Sequence, residues 1–422
     1  MRKMILSLAM TLAAFAAMAL EPTRTKVFSE DEDGSRYYRI PGIAVCNDGT
    51  LVAVADKRGS SNGDLPNVIS VVSKRSTDNG ATWSEMTTIA NGTSSSHTFG
   101  DPAIVYDPET ETLLCVFSGD RGFWYGTTTA HCGFYMSKST DHGKTWSDPV
   151  NFQSQIYKSN WRGAFCASGS MLRLTHGEHK GRIMFVANVN TNASNMVEYV
   201  REFVCYTDDL GETWHVANTI PPATDKGNES KLVELEDGTL MMSVRYPGTR
   251  LFTTSTDGGV TWSTPVKSSL VAQDCNGAII LYPSKDGVSR LLHSYVCNAK
   301  SRVNVSVSLS YDHGETWDFT RTLVEGYSAY SDLCVLHDGS IGLFVEDGTE
   351  HSDGANGGYE LVFMRFDLNW LTNGTDSKVA EIECDDAEAE WFNINGRREN
   401  ASTLPRGILI KKSPLGAQKI IN

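Results

Sequence analysis

The chain has 422 residues, with 37 Lys and Arg against 51 Asp and Glu, giving a formal net charge of −14 at pH 7. That acidity argues against general binding of nucleic acid or any other polyanion. With 40% hydrophobic and 9% aromatic residues the chain can bury a large core, which excludes a disordered or collagen-like protein despite 37 glycines.

At the N-terminus, Arg2 and Lys3 precede an apolar run from Met4 to Leu20, and Ala17-Met18-Ala19 puts small residues where a signal peptidase reads. The run is short for a membrane span and Glu21-Pro22 ends it abruptly. Residues 1–19 are therefore expected to be a cleaved leader that sends the rest to the periplasm, the cell surface or the medium. No later segment is long and apolar enough to cross a bilayer. The nine cysteines are odd in number, so at least one stays unpaired within a monomer. Cys46, Cys115, Cys205, Cys297 and Cys334 sit in strand-like runs such as Leu113-Leu114-Cys115-Val116-Phe117 and are expected to pack as small hydrophobes. No Cys/His grouping has zinc-ligand spacing, so no structural metal is expected.

One eight-residue pattern, Ser/Thr-x-Asp-x-Gly-x-Thr-Trp, occurs five times: Ser76 to Trp83, Ser139 to Trp146, Thr207 to Trp214, Ser255 to Trp262 and Ser310 to Trp317. The copies recur at intervals of roughly 50–70 residues, the size of a module of about four strands. Within each copy the Asp can accept backbone N–H bonds and fix a tight turn. The Gly permits positive φ, and the Trp is expected to start a strand and pack under the turn. Strand-length apolar segments flank the copies, for example Val68-Ile69-Ser70-Val71-Val72 and Val303-Asn304-Val305-Ser306-Val307. Such modules cannot bury both faces alone, and radial stacking protects their edges, so an all-β propeller is expected. Six blades are expected from five motifs, with one blade lacking the motif or closed jointly by strands from the two chain ends.

These boxes, together with Tyr38-Arg39-Ile40-Pro41, make the chain resemble an exo-α-sialidase of glycoside hydrolase family 33, a six-bladed propeller. The likeness runs from about Val27 to Leu371, within a catalytic region placed at residues 20–375. Sialic acid carries a carboxylate on the carbon that bears the scissile bond, and planar guanidinium groups suit such an anion. The resemblance assigns that clamp to Arg39, Arg245 in Met242-Ser243-Val244-Arg245, and Arg302 in Lys300-Ser301-Arg302-Val303-Asn304, with Glu346 orienting the first arginine. A carboxylate nucleophile would meet the substrate's own charge, and sialidases use tyrosine instead. Ser328-Ala329-Tyr330-Ser331-Asp332-Leu333 resembles the nucleophile segment, which implies Tyr330, with Tyr327 the fallback and Glu229 the base that takes the phenol proton. Asp64, in the Gly/Ser-rich loop from Gly59 to Pro66, matches the acid/base; Arg58 and Asp101 match positions that contact the sugar hydroxyls around C4. The implied activity is retaining hydrolysis of terminal α-sialosides on glycoproteins, glycolipids and oligosaccharides, without a cofactor. Transfer of the sialic acid, or its intramolecular release, would use nearly the same residues, with Phe123-Trp124-Tyr125 as a candidate acceptor loop; a non-catalytic glycan-binding propeller would lack the acid, base and nucleophile.

Residues 376–422 differ in composition. An acidic run from Glu381 to Glu390 precedes Trp391-Phe392-Asn393-Ile394-Asn395-Gly396-Arg397-Arg398 and Leu404-Pro405-Arg406-Gly407-Ile408-Leu409-Ile410, which read as short β structure. This tail resembles a shortened C-terminal sorting signal of type IX secretion in Bacteroidetes, implying a Gram-negative source. A last strand pair bracing the propeller is the alternative.

Overall fold

A computed structural model describes residues 20–59, 61–191, 200–219, 226–283, 286–350, 358–374 and 376, together with the backbone of four strands in the tail. The expected leader, residues 1–19, and the acidic run 381–389 lie outside the described residues. The chain divides into two units, Met1–Ser284 with Ser289–Ser377 and Lys285–Val288 with Lys378–Asn422. In the second, the strands Glu390–Asn393, Arg398–Glu399, Ile408–Ser413 and Gly416–Ile421 form one antiparallel sheet.

Among the described residues the first unit is all-β apart from helices of three or four residues. Beside the two-residue strands Gly169–Ser170, which pairs parallel with Phe99–Asp107, and Leu172–Arg173, its described strands fall into six antiparallel meanders of four. The first comprises Tyr37–Val45, Leu51–Arg58, Ile69–Ser76 and Thr87–Ala90; the second, Phe99–Asp107, Thr112–Gly119, Gly133–Ser139 and Val150–Asn151. The third is Ala164–Cys166, Ile183–Asn190, Val200–Thr207 and His215–Thr219; the fourth, Ser230–Glu234, Leu240–Tyr246, Thr249–Ser255 and Val266–Lys267. The fifth takes Ala278–Leu281, Leu291–Val296 and Val303–Ser310 and ends on the long strand Phe319–Val335. That strand continues into the sixth, where it pairs with Ile341–Asp347, followed by Glu360–Phe366 and, from the other end of the chain, Thr23–Phe28.

This connectivity explains why five boxes serve six meanders. Each box links the third strand of a meander to its fourth. In the sixth the fourth strand comes from the N-terminus, so no hairpin is needed; the chain instead leaves Phe366 into Asp367, whose side chain accepts from Trp370 N at 2.7 Å and caps the helix Leu368–Leu371. Within the boxes the hydrogen bonds repeat almost unchanged. Ser76 Oγ donates to Asp78 Oδ1 at 2.8 Å and accepts from Gly80 N at 2.9 Å, while Asp78 also accepts from Thr82 N and Thr82 Oγ1 at 2.9 and 2.6 Å. The fourth position, like the fifth, is left-handed, even where it is Leu210 at φ 55°. The box tryptophans do not start the outer strand. Trp83 and Trp262 precede it and fold back, their indoles donating to Gly80 O and Gly259 O at 3.2 and 3.1 Å, which closes the turn before pairing resumes.

Six buried apolar clusters join the meanders. Five lie between consecutive ones, as where Val52, Val54 and Val71 meet Phe99, Leu113 and Phe117. In the sixth cluster Phe28, Phe344 and Phe363 of the last meander pack on Tyr38, Leu51 and Val72 of the first. The box turns follow the same cycle: the glycine of each seats against the preceding meander, Gly143 on Val52, Gly211 on Met136, Gly259 on Met184 and Gly314 on Phe252, while Gly80 seats on Phe363. All eight described cysteines are free, and seven are buried.

Gly80 combines φ 85° with no room, since a Cβ there would lie 2.1 Å from Phe363 Cε1. Gly34 has φ 70° and open space around it. Gly34→Ala is therefore expected to cost only the left-handed penalty of about 1–2 kcal/mol, whereas Gly80→Ala adds about 1–3 kcal/mol of overpacking at the junction of first and last meanders. Denaturant titration of the two variants checks this; equal losses would contradict it.

Candidate active site

Three local departures from regular pairing aim side chains into one cavity. On the first strand of the first meander, pairing slips between Arg39 and Gly42, Ile40 adopts φ 64°, and its N–H leaves the ladder to donate to Glu346 Oε1 at 2.9 Å. A β-branched residue with positive φ is rare and needs such external support. The second meander slips between Gly100 and Ala103, with Asp101 at φ 56° and its N–H donating to Asp56 Oδ1 at 2.9 Å. The sixth slips between Ser328 and Ser331, where Tyr330 N donates to Glu346 Oε2 at 3.1 Å. Each slip is a bulge on the first strand of its meander, the device that re-aims side chains beside functional sites.

The cavity has a volume of ≈ 220 Å³, and Arg39, Asp64, Asp101, Glu229, Arg245, Arg302 and Tyr330 all line it. Of the remaining expected residues, Glu346 and Arg58 lie directly behind the lining. Glu346, fully buried, holds Arg39 by two parallel hydrogen bonds of 2.9 Å to Nε and Nη2. Its burial opposes ionisation, but the Arg39 charge and the four hydrogen bonds keep its carboxyl below the usual range. Arg58 is clasped by Asp56 Oδ2 at 2.9–3.1 Å and reaches forward to Asp64 Oδ1 at 2.8 Å.

Tyr330 OH donates to Glu229 Oε2 at 2.7 Å and accepts from Arg245 Nη1 at 3.0 Å. Arg245 Nη1 also donates to Glu229, and Arg245 Nε to Asp274 Oδ1 at 2.6 Å. Glu229 and Arg245 face each other across neighbouring strands, Arg245 N donating to Glu229 O at 3.2 Å, so the fourth meander sets both. The guanidiniums of Arg39 and Arg302 stand 5.1 and 5.5 Å from the Tyr330 ring centroid. Burial and the Glu229 charge push the phenol well above its ordinary pKa, against the pull of Arg245 and Arg302, so it is protonated at neutral pH. Enclosure works to raise the Asp64 carboxyl, yet Arg58, Arg39 and Arg302 outweigh it and hold it below the usual range, although 64% of its side chain is exposed. Asp101 moves the other way, pushed well above the carboxylate range by burial and the charges of Asp56 and Asp64.

Tyr327, the fallback nucleophile, lies elsewhere: it stacks on Tyr359 at 5.1 Å and accepts that residue's hydroxyl at 2.7 Å. Sequence reasoning missed Asp56, Asp274 and Tyr359, the last standing 5.2 Å from the Arg39 guanidinium. Asp56 was readable, since it precedes Arg58 by two on one strand; Asp274 lies in a connector without periodicity. Phe123, Trp124 and Phe165 form an apolar wall of the cavity, Phe123 meeting the other two edge-on at 5.0 and 5.4 Å.

The chain matches the family model "BNR repeat-like domain" over residues 49–343. It is 31% identical over 383 residues to a sialidase of Micromonospora viridifaciens, covering 85% of this chain and 56% of that protein. It is 29% identical over 349 residues to a sialidase of Bacteroides fragilis, covering 76% and 62%. The chain thus spans about three fifths of the length of these curated relatives. Among solved structures, the Hadza microbial sialidase Hz136 superposes with a TM-score of 0.70 at 26% identity, covering 80% of this chain and 67% of that one. An intramolecular trans-sialidase from Ruminococcus gnavus also gives 0.70, at 19% identity, a likeness of fold. The chain belongs to the BNR repeat-like family, and its relatives place it among the bacterial sialidases of glycoside hydrolase family 33.

Proposed function

We propose that this protein is a retaining exo-α-sialidase that removes terminal α-linked sialic acid from glycoproteins, glycolipids and oligosaccharides. One observation carries the reading: a buried phenol donates to a buried carboxylate in a cavity lined by three arginines from three meanders. Arg39, Arg245 and Arg302 receive the substrate carboxylate. Tyr330 O attacks the anomeric carbon while its proton passes to Glu229 Oε2; the glycosidic bond breaks and Asp64 protonates the departing oxygen. Water then cleaves the aryl glycoside with Asp64 as base, and Tyr330 recovers its proton. In the free protein the arginines hold Asp64 ionised, so it is a poor donor. A bound carboxylate cancels much of the field of Arg39 and Arg302 and so raises the Asp64 carboxyl, while the stronger hold of Arg58 remains. Asp101 contacts the sugar hydroxyls, while Arg58, expected there from the sequence, lies behind the lining and holds Asp64.

The six meanders form a closed six-bladed propeller in this reading. The apolar cluster between the sixth and first meanders, and the seating of Gly80 on Phe363, support closure. Residues 1–19 direct export and the tail is a sorting element; deletion of residues 388–422 is expected to block export in the native host while leaving activity intact, and an inactive, unfolded truncation would contradict it.

Release of free sialic acid from synthetic α2,3-, α2,6- and α2,8-sialosides tests the activity, and products measured with and without lactose distinguish hydrolysis from transfer. Asp64→Ala is expected to lower kcat/KM on such natural linkages about 10²–10⁴-fold, and much less on an aryl sialoside whose leaving group needs no proton. Equal losses on both substrates would remove Asp64 as the acid.

Glu346→Gln cannot satisfy all four donors that the carboxylate now accepts from. It is expected to raise KM more than it lowers kcat, and to destabilise the protein by about 3–5 kcal/mol, as for other broken buried pairs. Because Arg39 holds the carboxyl low, the stability advantage of Glu346 persists at neutral pH and shrinks as pH falls below the ordinary carboxylate range, near 4.3. Melting curves of both proteins from pH 7 to pH 3 check this; an advantage that grew on acidification would contradict it.

A further inference from the structure

Below the Glu229–Tyr330 contact the same two strands carry a second pair. Lys231 follows Glu229 by two residues and Asp332 follows Tyr330 by two, so each lies on the same side of its strand as its neighbour in the site. Both are buried, at 4% and 0% exposure. Asp332 is fully committed: Oδ2 accepts from Ile43 N of the first meander at 3.0 Å and Oδ1 from Ser170 Oγ at 2.9 Å. The ammonium of Lys231 has no hydrogen-bond partner among the described residues. Burial works against its charge, and the charges of Asp332 and Glu229 oppose that effect.

The two side chains meet at Gly169. A Cβ on that residue would lie 2.4 Å from Lys231 Nζ and 3.4 Å from Asp332 Cγ. Gly169 belongs to a segment, Ala167–Met171, that reaches every meander or its connector. Ala167 N donates to Val186 O at 2.8 Å and Met171 N to Ile104 O at 2.9 Å. Ser168 accepts from Asn276 Nδ2 at 3.2 Å, Ser170 reaches Asp332, and Gly169 lies against Gly42 and Lys231. A buried ammonium without an acceptor is destabilising, and a methionine of similar length would pack there without that cost. The charge therefore calls for an explanation beyond packing.

We propose that Lys231 is a positioning residue: its ammonium, seated with Asp332 over Gly169, fixes the base Glu229 and the nucleophile Tyr330 relative to each other through the strands that carry them. This rests on the reading of those two residues as base and nucleophile. Lys231 touches no part of the clamp that receives the substrate carboxylate, so its loss disturbs the chemical step and spares ground-state binding.

The test compares wild type with Lys231→Met and Lys231→Gln in the full chain. Three quantities are read: kcat and KM on an aryl α-sialoside, the Kd of the unreactive analogue 2-deoxy-2,3-dehydro-N-acetylneuraminic acid, and Tm. Both variants are expected to lose about 10²-fold in kcat, with the analogue Kd within about threefold of wild type and Tm kept or raised. An unchanged kcat overturns the proposal. So does a loss of kcat matched by loss of analogue binding, or failure of both variants to fold, since either assigns Lys231 to the scaffold. Absence of wild-type turnover on the same sialoside removes the underlying reading, whereas wild-type turnover with unaltered variants removes only the role of Lys231.

Discussion

Guanidinium groups brought into one cup repel one another, and the fold is organised around that constraint. Glu346 answers Arg39, Glu229 and Asp274 answer Arg245, and Asp56 with Asp64 answers Arg58. Arg302 alone has no ion-pair partner among the described residues; it stands over the Tyr330 ring. The balancing carboxylates sit behind or beside the arginines, which leaves the forward guanidinium edges for an incoming anion. Buried pairs of this kind contribute little net stability but are costly to break, so they hold geometry more than they hold the fold. Glu346 illustrates the economy of the arrangement: one carboxylate binds Arg39 and fixes the backbone of both Ile40 and Tyr330.

The same residues link site to scaffold. Arg39 and Glu346 are separated by 307 positions and belong to the first and sixth meanders, whose apolar contact is sealed by Phe28, Tyr38 and Phe363. The bulges at Ile40, Asp101 and Tyr330 each give up ladder hydrogen bonds, and buried carboxylates, Glu346 or Asp56, accept the freed N–H groups. The slips that face the cavity thus lie on first strands, while the box hairpins repeat the same bonding five times.

Much of this was legible in the sequence because the boxes are local. Ser76 and Thr82 reach Asp78 within one turn, so the pattern announces itself at each copy. Arg39, Arg245, Arg302, Glu229, Asp64 and Tyr330 were found through resemblance, and all of them line one cavity. What escaped notice depends on register between distant strands. No pattern around Ile40 announces its bulge, since the slip arises only when Glu346 is in place to accept its N–H. Asp274 and the segment Ala167–Met171 are equally silent, because a connector owes its position to the elements around it. The box tryptophans were misplaced for a related reason: strand propensity suggests where a strand could start, but at Trp83 and Trp262 the indole bonds back to the box carbonyl ahead of the strand.

The proposed mechanism requires a covalent bond between Tyr330 and the sugar. Incubation with a 2,3-difluorinated sialic acid, followed by intact mass and peptide mapping, tests it most directly. One added fluorosialyl group per chain is expected, mapped to Tyr330 and absent from Tyr330→Phe. Equal labelling of Tyr330→Phe, or a label mapped to Glu229 or Asp64, would contradict it.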